Sequence, residues 1–154
     1  MIYGIQIDVD CSKAKYTGIL AKILSGIDVE KYVWRSFLTQ CEVMSKTEEY
    51  FTREIYPGKA FLQEIKGAYY ILFLKLQAHI ENEDMEEIVT YEDFIKSDCQ
   101  LMVLVCDCYE FEFFSKQRTI IDSICNTACS NGYHNYRFIS DAELKSRIFR
   151  VINN

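Results

Sequence analysis

Apolar and polar residues alternate in two stretches of the chain, which is the two-residue period of a half-buried β-strand. Residues 5–9 place isoleucine or valine at every second position, and residues 109–113 place an aromatic side chain at every second position. A third stretch, Leu101 to Cys106, is apolar throughout. This pattern is typical of a central strand whose two faces are both covered.

The strand predicted over residues 69–80 changes character along its length. Its first half is apolar on both faces, whereas Lys75, Gln77 and His79 alternate with apolar residues in the second half. The pattern predicts a strand that begins in the middle of a sheet and runs out to a solvated end.

Two segments have the period of amphipathic helices. In the first, Ser12 is the predicted cap, apolar residues recur every three or four positions up to Ile27, and Gly26 is the predicted C-terminal stop. In the second, Ser115 is the predicted cap and the apolar stripe runs from Ile120 to Ala128. A shorter helix is predicted over residues 60–65, after a Pro-Gly turn. Another is predicted over residues 91–97, with Thr90 and Asp93 as its capping box.

Further strands are predicted over residues 32–38, 41–45 and 136–139. Residues 140–152 fit either a helix, capped by Ser140 and Glu143, or an edge strand. Some strand pairs are too close for crossover connections, while other strands are separated by helices. The predicted fold class is therefore α+β: a single domain over residues 1–154, with a mixed or mostly antiparallel sheet and two main amphipathic helices packed on it.

Composition narrows the class of protein. The 154 residues include one proline and six glycines, and no repeat or low-complexity stretch divides them. The N-terminus lacks the basic and apolar regions of a signal peptide, and the apolar runs are shorter than the roughly 20 residues that span a bilayer. Seven cysteines, an odd number, indicate free thiols. We expect a cytoplasmic protein with no membrane association.

The net charge of −6 is concentrated in one part of the chain. Residues 76–95 contain seven carboxylates and no lysine or arginine, so the rest of the chain carries about +1. This stretch is called the acidic segment below. It would repel a phosphate backbone, which argues against direct nucleic-acid binding.

Several blocks of sequence resemble a known family. They are Ile27 to Trp34, Tyr69 to Phe73 with Gln77-Ala78, Tyr91 to Cys99, and Asp107 to Tyr109. In this order they resemble a family of small Gram-positive bacterial proteins known only as a domain of unknown function. The resemblance implies a bacterial, cytosolic protein, and it carries over no catalytic or ligand-binding residue.

Two constellations are candidates for metal binding. Four thiols, one pair on or just after a strand and one pair on a helix, could converge on zinc because residues i and i+2 of a strand, or i and i+4 of a helix, share a face; they are Cys106, Cys108, Cys125 and Cys129. Cysteines of this kind are also commonly buried as small apolar groups. Carboxylates at two strand ends could hold Mg²⁺; they are Asp8, Asp10 and Asp107. Aspartates at strand ends also serve turns.

The main functional hypothesis is a non-enzymatic binding protein. The sequence has no glycine-rich phosphate loop, nucleophile elbow or HExxH motif, and we predict no cofactor. Aromatic anchors surrounded by carboxylates suit a basic protein partner, such as a toxin or defence enzyme that an immunity or inhibitor protein masks. The predicted contact residues are Glu83, Asp84, Glu86 and Glu87, with Tyr69 and Tyr109 as aromatic anchors. The alternatives are a Mg²⁺-dependent phosphodiesterase or nuclease-like enzyme, and a zinc-stapled structural module.

Overall fold

The strands of this protein form one seven-stranded sheet in the computed structural model, which describes residues 1–10, 17–43, 48–81 and 85–151. All strand pairs in these residues are antiparallel. In chain order the strands are β1 (Tyr3–Asp8), β2 (Val33–Val43), β3 (Ile55–Pro57), β4 (Tyr69–His79), β5 (Cys99–Cys106), β6 (Glu110–Ser115) and β7 (Tyr136–Ile139). Their spatial order is β3-β2-β4-β5-β6-β1-β7.

Five α-helices lie in the described part of the chain. They are α1 (Ile19–Ile23), α2 (Gly58–Ile65), α3 (Tyr91–Lys96), α4 (Arg118–Ser130) and α5 (Asp141–Leu144), with a short 3₁₀ helix at Val29–Lys31. The predicted α+β class is therefore confirmed, and of the two sheet types predicted, mixed or mostly antiparallel, the described strands have the antiparallel one. None of the helices described is long and apolar enough to cross a membrane.

The sheet separates two apolar cores. The first core, which includes Trp34, Phe61 and Ile124, lies between the sheet and helices α1, α2 and α4. The second core, which includes Phe94 and Phe149, lies on the opposite face. Alternate residues of β5 belong to the two cores, which explains why this central strand is apolar throughout.

The first helix differs from its prediction. Helix α1 begins at Ile19, after Gly18 in the left-handed conformation with φ of 64°. The predicted cap, Ser12, lies outside the described residues. Gly26 does not terminate the helix, which ends at Ile23. A Cβ atom at Gly26 would lie 2.2 Å from the hydroxyl oxygen of Ser123, so this glycine instead permits close approach to α4.

Two other predicted boundaries are wrong. The strands predicted over 32–38 and 41–45 are one continuous strand, β2, whose register with β4 shifts at two points. Such irregularities disturb the alternation and imitate a break between strands. Ser115 is the last residue of β6, and α4 begins three residues later. The Ser115 hydroxyl still accepts a hydrogen bond from the Gln117 amide, at 3.0 Å.

The C-terminal region is neither the long helix nor the edge strand that the sequence allowed. Ser140 caps a single helical turn, α5, by accepting a hydrogen bond from the Glu143 amide at 3.3 Å. The chain then crosses the second face of the sheet without regular structure, where an isolated bridge joins Ile148 to Thr90. Burial of Phe149 in the second core fixes this path.

Candidate functional site

An acidic groove lies beside the end of β4. Its volume is about 810 Å³, and its lining residues are Glu81, Glu86, Glu87, Ile88, Asp93, Lys96, Ser97 and Asp98. Five of these residues are carboxylates and one is a lysine, so the groove presents a concentrated negative charge. Two of the predicted contact residues, Glu86 and Glu87, are exposed here. The other two, Glu83 and Asp84, lie outside the described residues.

The β4 residues behind the groove are buried, which corrects the prediction of a solvated strand end. Lys75 is 2% exposed, and both Gln77 and His79 are 0% exposed. They point away from the first core and meet the backbone of residues 85–89 and the C-terminal region. Alternation correctly marked one face of β4 as polar, but water does not reach that face.

Lys75 joins three parts of the chain. Its ammonium group donates hydrogen bonds to the carbonyl oxygens of Ile88 at 2.6 Å and Phe149 at 2.7 Å. The carboxylate of Glu87 lies 3.5 Å from the same nitrogen. Burial lowers the pKa of Lys75, and the neighbouring Glu87 charge partly offsets this effect. One buried cation thus fixes both residues 87–88 and the C-terminal region to β4.

Gln77 and His79 continue this attachment. The Gln77 side-chain oxygen accepts a hydrogen bond from the Ile88 amide at 2.8 Å, and its nitrogen donates to the Glu86 carbonyl at 3.0 Å. The His79 ring lies between the Gln77 amide nitrogen, 3.0 Å from Nε2, and the Asp98 carboxylate, 2.5 Å from Nδ1. The backbone under the groove is therefore held by side chains that complement its donors and acceptors.

The acidic segment is also fixed at its helical end. Thr90 and Asp93 form the predicted capping box at the start of α3. The amide groups of Thr90 and Val89 donate hydrogen bonds to the Asp93 carboxylate and lower its pKa. In addition, the Phe149 amide donates to the Val89 carbonyl at 2.8 Å. Hydrogen bonds to β4, to the capping box and to the C-terminal region thus hold the described backbone of residues 85–93 in place.

The two predicted aromatic anchors have different positions. Tyr69 is fully buried, so its prediction as an exposed anchor is wrong. Its hydroxyl donates to the Ile65 carbonyl at 2.8 Å and accepts from the Leu20 amide at 3.1 Å, which makes it a polar group of the first core. Tyr109 is 43% exposed, but it follows the C-terminal end of β5, whereas Asp98 of the groove precedes the N-terminal end of the same strand. Tyr109 therefore does not line the groove.

The three predicted Mg²⁺ ligands lie at one end of the sheet. Asp8 is opposite Glu110 in the β1–β6 register, and the Val9 amide donates to the Tyr109 carbonyl at 2.9 Å, next to the turn that contains Asp107. Asp107 has a left-handed backbone with φ of 57°, as expected for a turn residue. Within the described residues, no group of three carboxylate, thiol or imidazole side chains could hold a metal ion.

The four predicted zinc ligands do not converge. Cys106 donates to the Val151 carbonyl at 3.3 Å on the side of the second core, whereas Cys125 belongs to the first core. Cys106 and Cys125 therefore lie on opposite faces of the sheet. Burial is the main cause of the raised pKa of both thiols, which disfavours the thiolate that zinc requires. The helical period placed Cys125 and Cys129 correctly on one helix, whereas Cys108 lies in the turn after β5, which ends at Cys106.

Cys99 is expected to be the least reactive of the cysteines described. Its thiol is fully buried, and burial raises its pKa to about 12. Iodoacetamide at neutral pH should therefore modify Cys99 only when the protein unfolds, whereas the partly exposed Cys108 and Cys129 should react in the folded state. Mass spectrometry of peptides after timed labelling checks this order. Early modification of Cys99 in the folded protein would contradict its position in the second core.

The fold and groove define a small α+β protein whose distinctive feature is a supported acidic surface. The chain belongs to the family described as a protein of unknown function, DUF2691, which matches residues 2–150. It is similar to the uncharacterized protein YncE of Bacillus subtilis (strain 168), with 28% identity over 133 residues that cover 82% of this chain and 86% of the relative. No solved structure matches the chain significantly.

Proposed function

We propose that this protein is a non-enzymatic cytoplasmic binding protein that masks a basic protein partner. The observation that carries the proposal is the acidic groove, where five carboxylates and one lysine line a cleft of about 810 Å³. Complementary charge accelerates encounter with a cationic surface and disfavours partners of the wrong sign. An immunity or inhibitor protein that neutralises a toxin or defence enzyme is the specific form we favour.

The support beneath the groove favours binding. Hydrogen bonds from Lys75 and Gln77 hold the backbone of Glu86 and Ile88 against β4. Carboxylates on a fixed backbone lose less conformational entropy when a partner binds than carboxylates on a mobile loop. The proposed contact residues are the same four carboxylates as those predicted, without Tyr69, which is buried.

The first experiment is affinity capture of the tagged protein from a lysate of its native host, at low and at high salt. We expect a basic protein that is retained at low salt and weakened or lost at high salt, because salt screens charges on exposed surfaces. Mass spectrometry identifies the retained protein, which is then purified for titration. Absence of any retained basic protein at both salts would contradict the proposal.

Charge reversal tests the surface itself. Changing Glu83, Asp84, Glu86 and Glu87 to lysine should weaken binding of the captured partner by several-fold or more, mainly through slower association. The matched control reverses four exposed carboxylates away from the groove: Asp28, Glu30, Glu48 and Glu54. Both variants change the net charge equally, so any difference between their affinities for the partner is due to the position of the reversed charges. Equal binding by the two variants, measured by calorimetry, would reduce the acidic segment to a solubility feature.

A further inference from the structure

The hydrogen bonds around Gln77 fix the orientation of its side-chain amide. Its oxygen accepts from the Ile88 backbone amide at 2.8 Å, and its nitrogen donates to the Glu86 backbone carbonyl at 3.0 Å. A backbone N–H can only donate and a carbonyl can only accept. The amide nitrogen of Gln77 is therefore the atom that faces His79.

This orientation fixes the protonation state of His79. The remaining N–H of the Gln77 amide points to the Nε2 atom of the ring, 3.0 Å away, so Nε2 accepts a hydrogen bond. The ring proton is then on Nδ1, which donates to the Asp98 carboxylate at 2.5 Å. His79 is 0% exposed, and this network requires the neutral imidazole with its proton on Nδ1.

We propose that protonation of His79 releases the Glu86 carbonyl and the Ile88 amide from Gln77 on β4 and so makes the acidic groove sensitive to acid. A proton on Nε2 would face the N–H groups of Gln77. If the amide rotates to present its oxygen to the ring, its nitrogen faces the Ile88 N–H and its oxygen faces the Glu86 carbonyl. Both backbone hydrogen bonds are then lost, while the ring keeps its bond to Asp98. The claim that this change regulates the groove rests on the proposed function.

Of the two histidines in the chain, His79 is the one that contacts the groove, through Asp98. Histidine is the side-chain type that ordinarily titrates between about pH 5 and 8. Cys99, its register partner on β5, has a pKa of about 12. Besides Asp98 and Cys99, the charged groups on the elements packed around the ring are Lys75 on β4, Arg35 on β2, Glu86 and Glu87 beside the groove, and Lys116 after β6.

The test is amide hydrogen exchange of the isolated protein by NMR, expressed as protection factors at about pH 7.5 and about pH 5.5. We expect the protection of the Ile88 amide to fall by about tenfold or more at the lower pH, because its partner is lost. The amide of Val9, which is bonded to the Tyr109 carbonyl across β1 and β6, should keep its protection. Unchanged protection of Ile88 would overturn the proposal.

Two variants assign the effect to a residue. His134 is the second of the two histidines and is exposed, so the H134Q variant should keep the pH dependence at Ile88. The H79N variant should lose it. A pH dependence at Ile88 that persists in H79N, or that is lost in H134Q, would overturn the proposal.

The wild-type ring supplies a readout that does not depend on a folded variant. The NMR chemical shifts of the His79 ring nitrogens should report the Nδ1–H form at the higher pH. Protonation of the ring and loss of protection at Ile88 should occur over the same pH range. A ring that carries its proton on Nε2, or that titrates without any change at Ile88, would overturn the inference. These measurements need no partner, so their failure is distinct from failure of the capture experiment.

Discussion

Replacement of Trp34 by alanine is expected to lower the free energy of unfolding by about 3–5 kcal/mol. The indole is 0% exposed and stacks on Phe61, with 4.4 Å between ring centroids. It also meets the edge of Tyr32 and donates a hydrogen bond to the Val29 carbonyl at 3.1 Å. Its loss would leave a cavity between β2 and α2 and an unpaired carbonyl beside it.

Urea denaturation measures this effect. Circular dichroism is the suitable probe, since Trp34 is the only tryptophan and its removal abolishes tryptophan fluorescence. The matched control is Phe138→Ala, which truncates an aromatic side chain that is 55% exposed and should cost about 1 kcal/mol or less. Comparable losses in the two variants would show that the stacked rings do not hold β2 to α2.

Breaking the ion pair between Arg147 and Glu112 is expected to cost about 3 kcal/mol when only the arginine is removed. The pair is bidentate, with distances of 2.6 and 2.5 Å, and the Glu112 side chain is only 10% exposed. The guanidinium also lies 5.1 Å from the ring centroid of Phe114. Arg147→Met leaves a carboxylate with little access to water beside the second core, so the C-terminal region should loosen.

A double-mutant cycle tests this explanation. Adding Glu112→Gln to Arg147→Met should restore much of the lost stability, because no uncompensated charge remains. Arg150→Met removes an exposed arginine from the same region and should change stability by less than about 0.5 kcal/mol. If the single and double variants are equally unstable, lost packing of Arg147 rather than the charge of Glu112 is the cause.

Local periodicity was sufficient to predict much of the fold. The alternating residues of β1 and β6 and the apolar stripe of α4 identified these elements because the burial of each follows from its own neighbours. The Thr90 capping box was recognisable for the same reason. The predictions that failed concern features that depend on distant contacts. Gly26 permits close approach to α4, and β2 was predicted as two strands because its register with β4 shifts.

The buried polar row of β4 shows why the support of the site could not be predicted. The sequence places Lys75, Gln77 and His79 on one face, but it does not show whether water or protein covers that face. The cover comes from residues 85–98 and from the region around Phe149, and their backbone groups match the three side chains. The acidic charge of the groove, in contrast, was evident because seven carboxylates lie within one segment.

The position of β1 determines the order in which the sheet can form. β1 is the first strand in the chain, yet its neighbours are β6 and β7, so Tyr3 pairs with Ser115 and Gly4 with Ile139. During synthesis, β2, β4 and β5 can pair while β1 still lacks both partners. Joining such distant segments closes a long loop, which slows folding. β1 therefore leaves the ribosome before the other six strands of the sheet but completes its pairing last, and until then the growing sheet has an open edge at β6.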